Sequence, residues 1–341
     1  MIVFLNRCFL ILMALIFGAV SQGNAQGVFD SIGKEVHDVF ERVKDSVVKV
    51  KSDNGVMMLT GSGFFIDEEG TLLTSSLIVV DDTATTVETE ENKWEARVLG
   101  KDLRSGLALL KVYGVKSKPL TFAVSNSLKA ASAVVGVGFP YNLPVAPSFG
   151  LVAGFDFQYL NKFFPTTHIR ANLPISPGQV GGPLINSKGE VVGVLAMSAD
   201  DGRACYAIPS MAVERILQEL KKSGKARHGW VGVGVSEKET SASTKGVVVS
   251  NLFENTPALT SGIKVGDLVL KIGSREIRRP SDVIDLSFFS RVGEDLPVIV
   301  VREGKTMNFK ITVQERPTLL PAVFQKDPAA ATNSVIQVNQ K

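Results

Sequence analysis

Cysteine is almost missing from this chain of 341 residues: there are two, Cys8 and Cys205. Cys8 falls inside an N-terminal apolar run and not at its end, where a lipid-carrying cysteine would stand, so lipidation finds no support. With that run set aside one thiol is left. It closes no internal disulfide, and the fold must be held by its core even in an oxidising compartment. Cys205 reads as a buried strand residue. Histidine is as sparse: His37, His168 and His228 are scattered, no Cys/His cluster has metal-ligand spacing, and neither a metal nor another cofactor is expected. Excess charge of one sign is lacking too. The formal net charge is +3, and it falls to about +2 without Arg7, too little for the electrostatic footprint of a nucleic-acid partner. The basic run Lys221, Lys222, Lys225 and Arg227 follows a helical pattern and reads as helix C-terminal charge and a solvated linker.

What is present is an ordinary folded composition, 45% hydrophobic and 21% charged, in a chain long enough for two domains with room for a tail. The apolar run Phe9 to Val20 is short for a membrane span. It follows Arg7 and ends in Gly23, Asn24 and Ala25, the pattern of a signal peptide cleaved after Ala25. Residues 1–25 therefore read as a leader, and the mature chain, without an integral membrane span, as exported to a periplasmic or extracellular location. An uncleaved anchor is the other reading of the same segment. In both, the folded part lies outside the cytoplasm.

Residues 26–45 carry Phe29, Ile32, Val36, Phe40 and Val43 at helical spacing, an amphipathic helix. From Ser46 to about Tyr206 the pattern changes to short β-rich runs, such as Val47 to Val50, Ala108 to Val112 and Val191 to Leu195, separated by Gly, Pro, Asn and Asp. Many short strands at close spacing mean a barrel or a sandwich. Helical spacing returns from Pro209 to Lys222, with Met211, Val213, Ile216 and Leu220 as the apolar face and Gly224 as a stop. Ser223 to His228 is a linker before a second β-rich domain. The boundaries are 34–222 for the first domain, 229–315 for the second and 316–341 for a mobile tail.

The most informative string is Ser176-Pro177-Gly178-Gln179-Val180-Gly181-Gly182-Pro183-Leu184. It resembles the nucleophile loop of the HtrA-type trypsin-like serine proteases, Asn-Pro-Gly-Asn-Ser-Gly-Gly-Pro-Leu, with Val180 at the serine position. Gly61-Ser62-Gly63-Phe64, followed by Thr74-Ser75-Ser76-Leu77-Ile78-Val79, resembles the family's Gly-Ser-Gly-Phe strand and its Thr-Asn-Asn-His-Val-Val turn, with Leu77 at the histidine. Asp102 to Lys111 resembles its Thr-Asp-Leu-Ala-Val-Leu-Lys segment, with Gly106 at the aspartate. Further matches at Val137 to Asn142, Phe149 to Val152 and Tyr206 to Ser210 carry the resemblance over residues 34–215. An all-β-dominated double β-barrel is what it implies.

A serine protease needs a hydroxyl nucleophile, an imidazole that takes and returns its proton, and a carboxylate that orients the imidazole. Leu77, Gly106 and Val180 supply none of these. Loss of such a triad removes about a million-fold in turnover, leaving oxyanion-hole and binding effects. Gly178, Gln179, Val180, Gly181 and Gly182 keep the turn that lets adjacent N–H groups converge. Ser75, Ser76, Ser176 and His168 are near in sequence to these motifs, but their spacing makes no substitute triad, and the serines read as turn residues.

Gly229-Trp230-Val231-Gly232-Val233, Asn255-Thr256-Pro257-Ala258 and Ser261 to Leu270 look like a PDZ domain of the HtrA type, a β-sandwich with helices. The resemblance implies that Trp230, Val231, Gly232 and Val233 hold a peptide's C-terminal carboxylate while the peptide adds a strand to the sheet edge. A helix near Ser281 to Ser290 would form the other wall, with Val283 and Leu286 facing the ligand. The same residues also read as plain core and strand positions. The expectation is an exported HtrA-like pseudoprotease that binds protein C-termini or unfolded segments and scaffolds or regulates an active relative. Two rivals stand beside it: a serine endopeptidase of envelope quality control with a non-standard site, and a structural subunit with an idle groove. HtrA relatives assemble as trimers, so Phe29 and Phe40 either serve such an interface or cover the domain's own core.

Overall fold

From Val47 onward, β-branched and aromatic residues come in runs too short for helices and are broken by turn formers, so the chain can bury them only by pairing neighbouring strands. A computed structural model describes residues 27–317 apart from 54, 82, 125–127, 161 and 240–244, and forms two closed six-stranded barrels followed by a smaller sheet. The first barrel comprises β1 (Val47–Asp53), β2 (Met58–Phe65), β3 (Thr71–Ser75), β4 (Thr85–Glu88), β5 (Lys93–Asp102) and β6 (Leu107–Lys111), in the order β1-β2-β3-β6-β5-β4. Pairing of β4 with β1 closes it. The second comprises β7 (Ala133–Gly138), β8 (Ala146–Tyr159), β9 (Lys162–Ala171), β10 (Pro183–Ile185), β11 (Val191–Ala199) and β12 (Ala204–Pro209), in the order β10-β11-β12-β9-β8-β7, and the β10–β7 pair closes it.

Each barrel is filled from within. Val48, Val50, Leu72, Val87 and Leu110 pack together in the first, and Leu173, Leu184, Leu195, Cys205 and Ala207 in the second. Cys205 is fully buried on β12, as its apolar setting suggests, and burial pushes its thiol pKa up to about 12.

Residues 27–43 form helix α1, where the amphipathic pattern expects one. Val39 and Val43 are buried and Val36 and Phe40 half-buried, whereas Val28, Phe29 and Ile32 are exposed. Only the C-terminal half of the apolar stripe is therefore covered. Helix α2 (Ser210–Ser223) packs over β5 and β6 of one barrel and β11 and β12 of the other. Its buried face is Ala212, Val213, Ile216, Leu217 and Leu220; Met211, which the spacing places on that face, is exposed.

The chain divides into two compact units, one of residues up to 162 and Thr167–Ala226, the other of Phe163–Thr166 and residues from Arg227 on. In the second unit β14 (Val233–Glu239), β15 (Lys245–Leu252), β16 (Leu268–Ile272), β18 (Asp295–Arg302) and β19 (Lys305–Thr312) form the sheet in the order β14-β15-β16-β18-β19. The short strand β17 (Arg275–Glu276) adds to β16, and β13 (Gly229–Trp230) pairs with β20 (Gln314–Glu315). Helices α3 (Pro257–Thr260) and α4 (Pro280–Phe289) accompany the sheet. No helix among the described residues is long and apolar enough to cross a membrane. The expected leader, 1–25, and all but the first two residues of the expected tail, 316–341, lie outside the described residues.

Candidate functional site

Leu77, Gly106 and Val180 fall on three loops that meet where the barrels face each other. Leu77 follows β3 and is exposed, Gly106 immediately precedes β6, and Val180 lies in the turn before β10. The Ser76 N–H donates to the Gly106 carbonyl at 2.9 Å, which joins the first two loops. The Ser62 N–H donates to the Val180 carbonyl at 2.9 Å, which joins the second barrel to β2 of the first. Gly181 presses against that seam: a Cβ there would stand 2.3 Å from the Ser62 carbonyl oxygen and 2.7 Å from the Ser75 nitrogen, so only glycine fits.

The turn itself is held on every side. Pro177 and Gly178, the latter at φ +96, form the corner of a turn closed by the Gln179 N–H on the Ser176 carbonyl at 3.1 Å. The Tyr141 N–H binds the Pro177 carbonyl at 2.7 Å. The buried Gln179 side chain accepts the Ser176 N–H at 2.7 Å. Gly181 donates to the Leu195 carbonyl at 2.8 Å, and Gly182 to that of Gln179 at 3.0 Å. The Ser176 main chain is thus engaged in the turn, and the Ser75 Oγ accepts the Leu77 N–H at 3.2 Å. His168 is buried within β9.

Sequence reasoning quoted Ser62 but did not see its part. Ser62 is fully buried; its Oγ donates to the Gly178 carbonyl at 2.7 Å and accepts the Phe139 N–H at 2.9 Å, and its own carbonyl accepts the Thr74 hydroxyl at 2.7 Å. One small hydroxyl between Gly61 and Gly63 therefore ties β2, β3, β7's exit and the turn together. A serine buried in an otherwise apolar strand was the available signal, because such a hydroxyl must find partners. Lys49 lies close by. Its Nζ donates to the Asn142 carbonyl at 2.9 Å and sits 5.1 Å from the centre of the Phe139 ring. Burial, with the neighbouring Lys51, holds its ammonium below the usual lysine range.

In the second unit β14 is an edge strand, and α4 packs against β13 and β14. The segment Trp230-Val231-Gly232-Val233 enters that edge. Gly232 has φ +77, and a Cβ on it would meet Thr256 Cβ at 2.2 Å. Thr256 is pinned in turn, its Oγ1 donating to the Phe253 carbonyl at 2.6 Å, and the Ala258 N–H donates to the Val231 carbonyl at 3.1 Å. Trp230 is buried with its ring 5.7 Å from that of Phe253. Val231, Val283 and Leu286 are buried in the core of this unit. Val233 and Val235 on β14 are only partly buried.

Two family descriptions match the chain: a trypsin-like peptidase domain over residues 61–194 and a PDZ domain over residues 229–313. A trypsin-like peptidase-domain protein carrying one PDZ domain is the class this chain falls in. Among its relatives, a probable periplasmic serine endoprotease, DegP-like, of Pseudomonas fluorescens is 31% identical over 265 residues, 74% of this chain and 56% of that protein. The serine endoprotease DegS of Salmonella typhimurium is 28% identical over 274 residues, 75% of this chain and 77% of the relative. The chain thus spans about half the length of the DegP-like relatives it matches. A solved structure of the HtrA-type protease AlgW with a tripeptide shares the fold at a TM-score of 0.73 and 22% identity, over 83% of this chain and 98% of that one. The chain is thus similar, over about three quarters of its length, to DegP-like and DegS serine endoproteases.

Proposed function

We propose that this chain is an exported, non-catalytic HtrA homologue that binds peptide C-termini or unfolded protein segments through its PDZ domain and scaffolds or regulates an active relative. The observation that carries the reading is the chemistry at the three loops: Leu77, Gly106 and Val180 offer no nucleophile, no proton acceptor and no orienting carboxylate, while the turn glycines and the groove residues are retained. Export is supported by the leader-like pattern of residues 1–25 and by the periplasmic relatives. Peptide binding is supported by the place of β14, beside Gly232, at the edge of its sheet among the described residues, and by the peptide-bound relative.

The names of the relatives favour a second reading, a working serine endopeptidase with an unusual site. The two separate cleanly. Purified protein is treated with a serine-reactive fluorophosphonate and assayed on casein beside an active HtrA protease. Background labelling and no cleavage are expected; labelling or cleavage that persists through further purification sinks the non-catalytic reading. A broad array of C-terminal peptides tests the groove, and failure to bind any of them leaves a structural subunit.

A further inference from the structure

Among the described residues β14 pairs with β15 alone and stands at one end of its sheet. An edge strand presents a row of main-chain N–H and C=O groups, which chains blunt with charge, with proline or with a covering segment. The charges of β14, Glu237, Lys238 and Glu239, lie on the half away from Gly232. Residues 233–236 carry neither charge nor proline, and Val233 and Val235 are only partly buried against the core of this unit. A covering segment is the device left for this half.

The chain leaves the unit close to that edge. Strand β20 pairs with β13, Glu315 opposite Gly229 and Gln314 opposite Trp230, and β13 leads through Val231 and Gly232 into β14. The exit is pinned twice: the Arg316 N–H donates to the His228 carbonyl at 2.8 Å, and Arg227 Nε donates to Glu315 Oε2 at 3.0 Å. Residues 318–341 follow, outside the described residues. Two runs in their sequence have strand character: Ala-Val-Phe-Gln at 322–325, set between Pro321 and Pro328, and Ser-Val-Ile-Gln-Val at 334–338, with three β-branched side chains and no proline, glycine or charge.

Reach decides between them. To run antiparallel to β14, the more stable pairing, a segment must first travel from its exit beside His228 to the far end of the strand at Glu239, a path of at most about 36 Å at about 3.3 Å per residue. Residues 318–321, ahead of the first run, span about 13 Å when extended, and residues 318–333, ahead of the second, about 53 Å. Only the second run gets there with chain to spare.

We propose that residues 334–338 add to the edge of β14 as an antiparallel strand, so that this chain fills its own peptide groove. Val338 then lies beside Val233 and Ile336 beside Val235, and the alternation of a strand turns these two side chains to the partly buried floor and Gln337 away from it. Affinity is not the obstacle, because a short flexible tether holds the segment at an effective concentration of about a millimolar, and weak pairing suffices. This rests on the peptide-binding reading of the second unit and deepens it: a ligand enters by displacing the chain's own strand.

The test reads amide hydrogen exchange residue by residue in the 15N-labelled full chain, in the same protein ending at Pro317, and in full-length Ile336→Asp/Val338→Asp. Among residues 233–236, the amides that point away from β15 are expected to exchange about tenfold more slowly in the full chain than in either variant. A synthetic peptide of residues 332–340, added to the shortened protein, is expected to restore slow exchange, and the peptide with both aspartates to leave it fast. Should the shortened protein not fold by circular dichroism, the double-aspartate variant, whose substitutions fall outside both units, decides alone. Equal exchange in full chain and variants overturns the proposal, as does protection that grows with protein concentration, which assigns the edge to a second copy. The array of C-terminal peptides separates the two layers. If one of them slows these amides in the shortened protein while the full chain shows no protection, only the self-filled groove falls; if neither they nor peptide 332–340 slow them, the peptide-binding reading falls with it.

Discussion

At Gly106 the backbone sits at φ +78 and a Cβ would meet nothing within 4 Å, so there is room for a side chain but in a conformation that L-residues resist. An aspartate there costs about 1–2 kcal/mol, which a stable barrel tolerates. The triple substitution Leu77→His, Gly106→Asp and Val180→Ser is therefore expected to gain fluorophosphonate labelling. Val180→Ser alone is expected to stay at background, since a hydroxyl without its imidazole is not activated. Labelling intensity against the wild type checks both. Ser62 makes the opposite case: Ser62→Ala leaves the Phe139 N–H and the Gly178 carbonyl without the partner they now share. A loss of about 2–3 kcal/mol in urea unfolding is expected.

Among the elements, the junction of β16 with the loop before it depends on Asp267. Its buried carboxylate receives both Arg302 Nε at 2.6 Å and Nη2 at 2.7 Å, and the Lys264 N–H at 2.9 Å. Burial alone would raise its pKa, but the Arg302 hydrogen bonds and the Lys264 N–H outweigh that, and the net shift is below the ordinary 3.8. A carboxyl whose folded pKa is depressed adds stability that is full above its unfolded value and is lost as pH falls through the folded one. Acid unfolding followed by circular dichroism is expected to show this loss below about pH 4, and Asp267→Asn to flatten it. Asp267→Ala, which strands the guanidinium, is expected to cost about 3 kcal/mol. At the β14 edge, Gly232→Ala drives a methyl into Thr256 and is expected to weaken C-terminal peptide binding at least tenfold, with thermal unfolding measured alongside.

For the molecule as a whole, Cys205 gives a reporter that needs no label. Fully buried, with its thiol pushed up to about 12, it is expected to stay silent toward a thiol-reactive disulfide in the native protein and to react stoichiometrically once urea unfolds the first unit. The strand and helix periodicities, the linker near residue 226 and the loops carrying Leu77, Gly106 and Val180 were legible in the chain, because pleat, helical turn and glycine corners are local properties. Ser62 was not read as a brace because its bond to Gly178 spans 116 positions and exists only once both barrels have closed. Met211 is exposed although its spacing places it on the buried face of α2: spacing tells which side chains share a face, and packing tells what that face meets.

The amino-acid sequence by itself determined which side chains stand at 77, 106 and 180, since no folding supplies a hydroxyl to Val180 or an imidazole to Leu77. It also determined where the turns and strands fall. Only the tertiary structure decided that the three loops share one junction and that, among the described residues, β14 stands at the edge of its sheet. Hydrogen-bond partners, edges and cavities are properties of closure, and closure brings together residues that no local pattern connects.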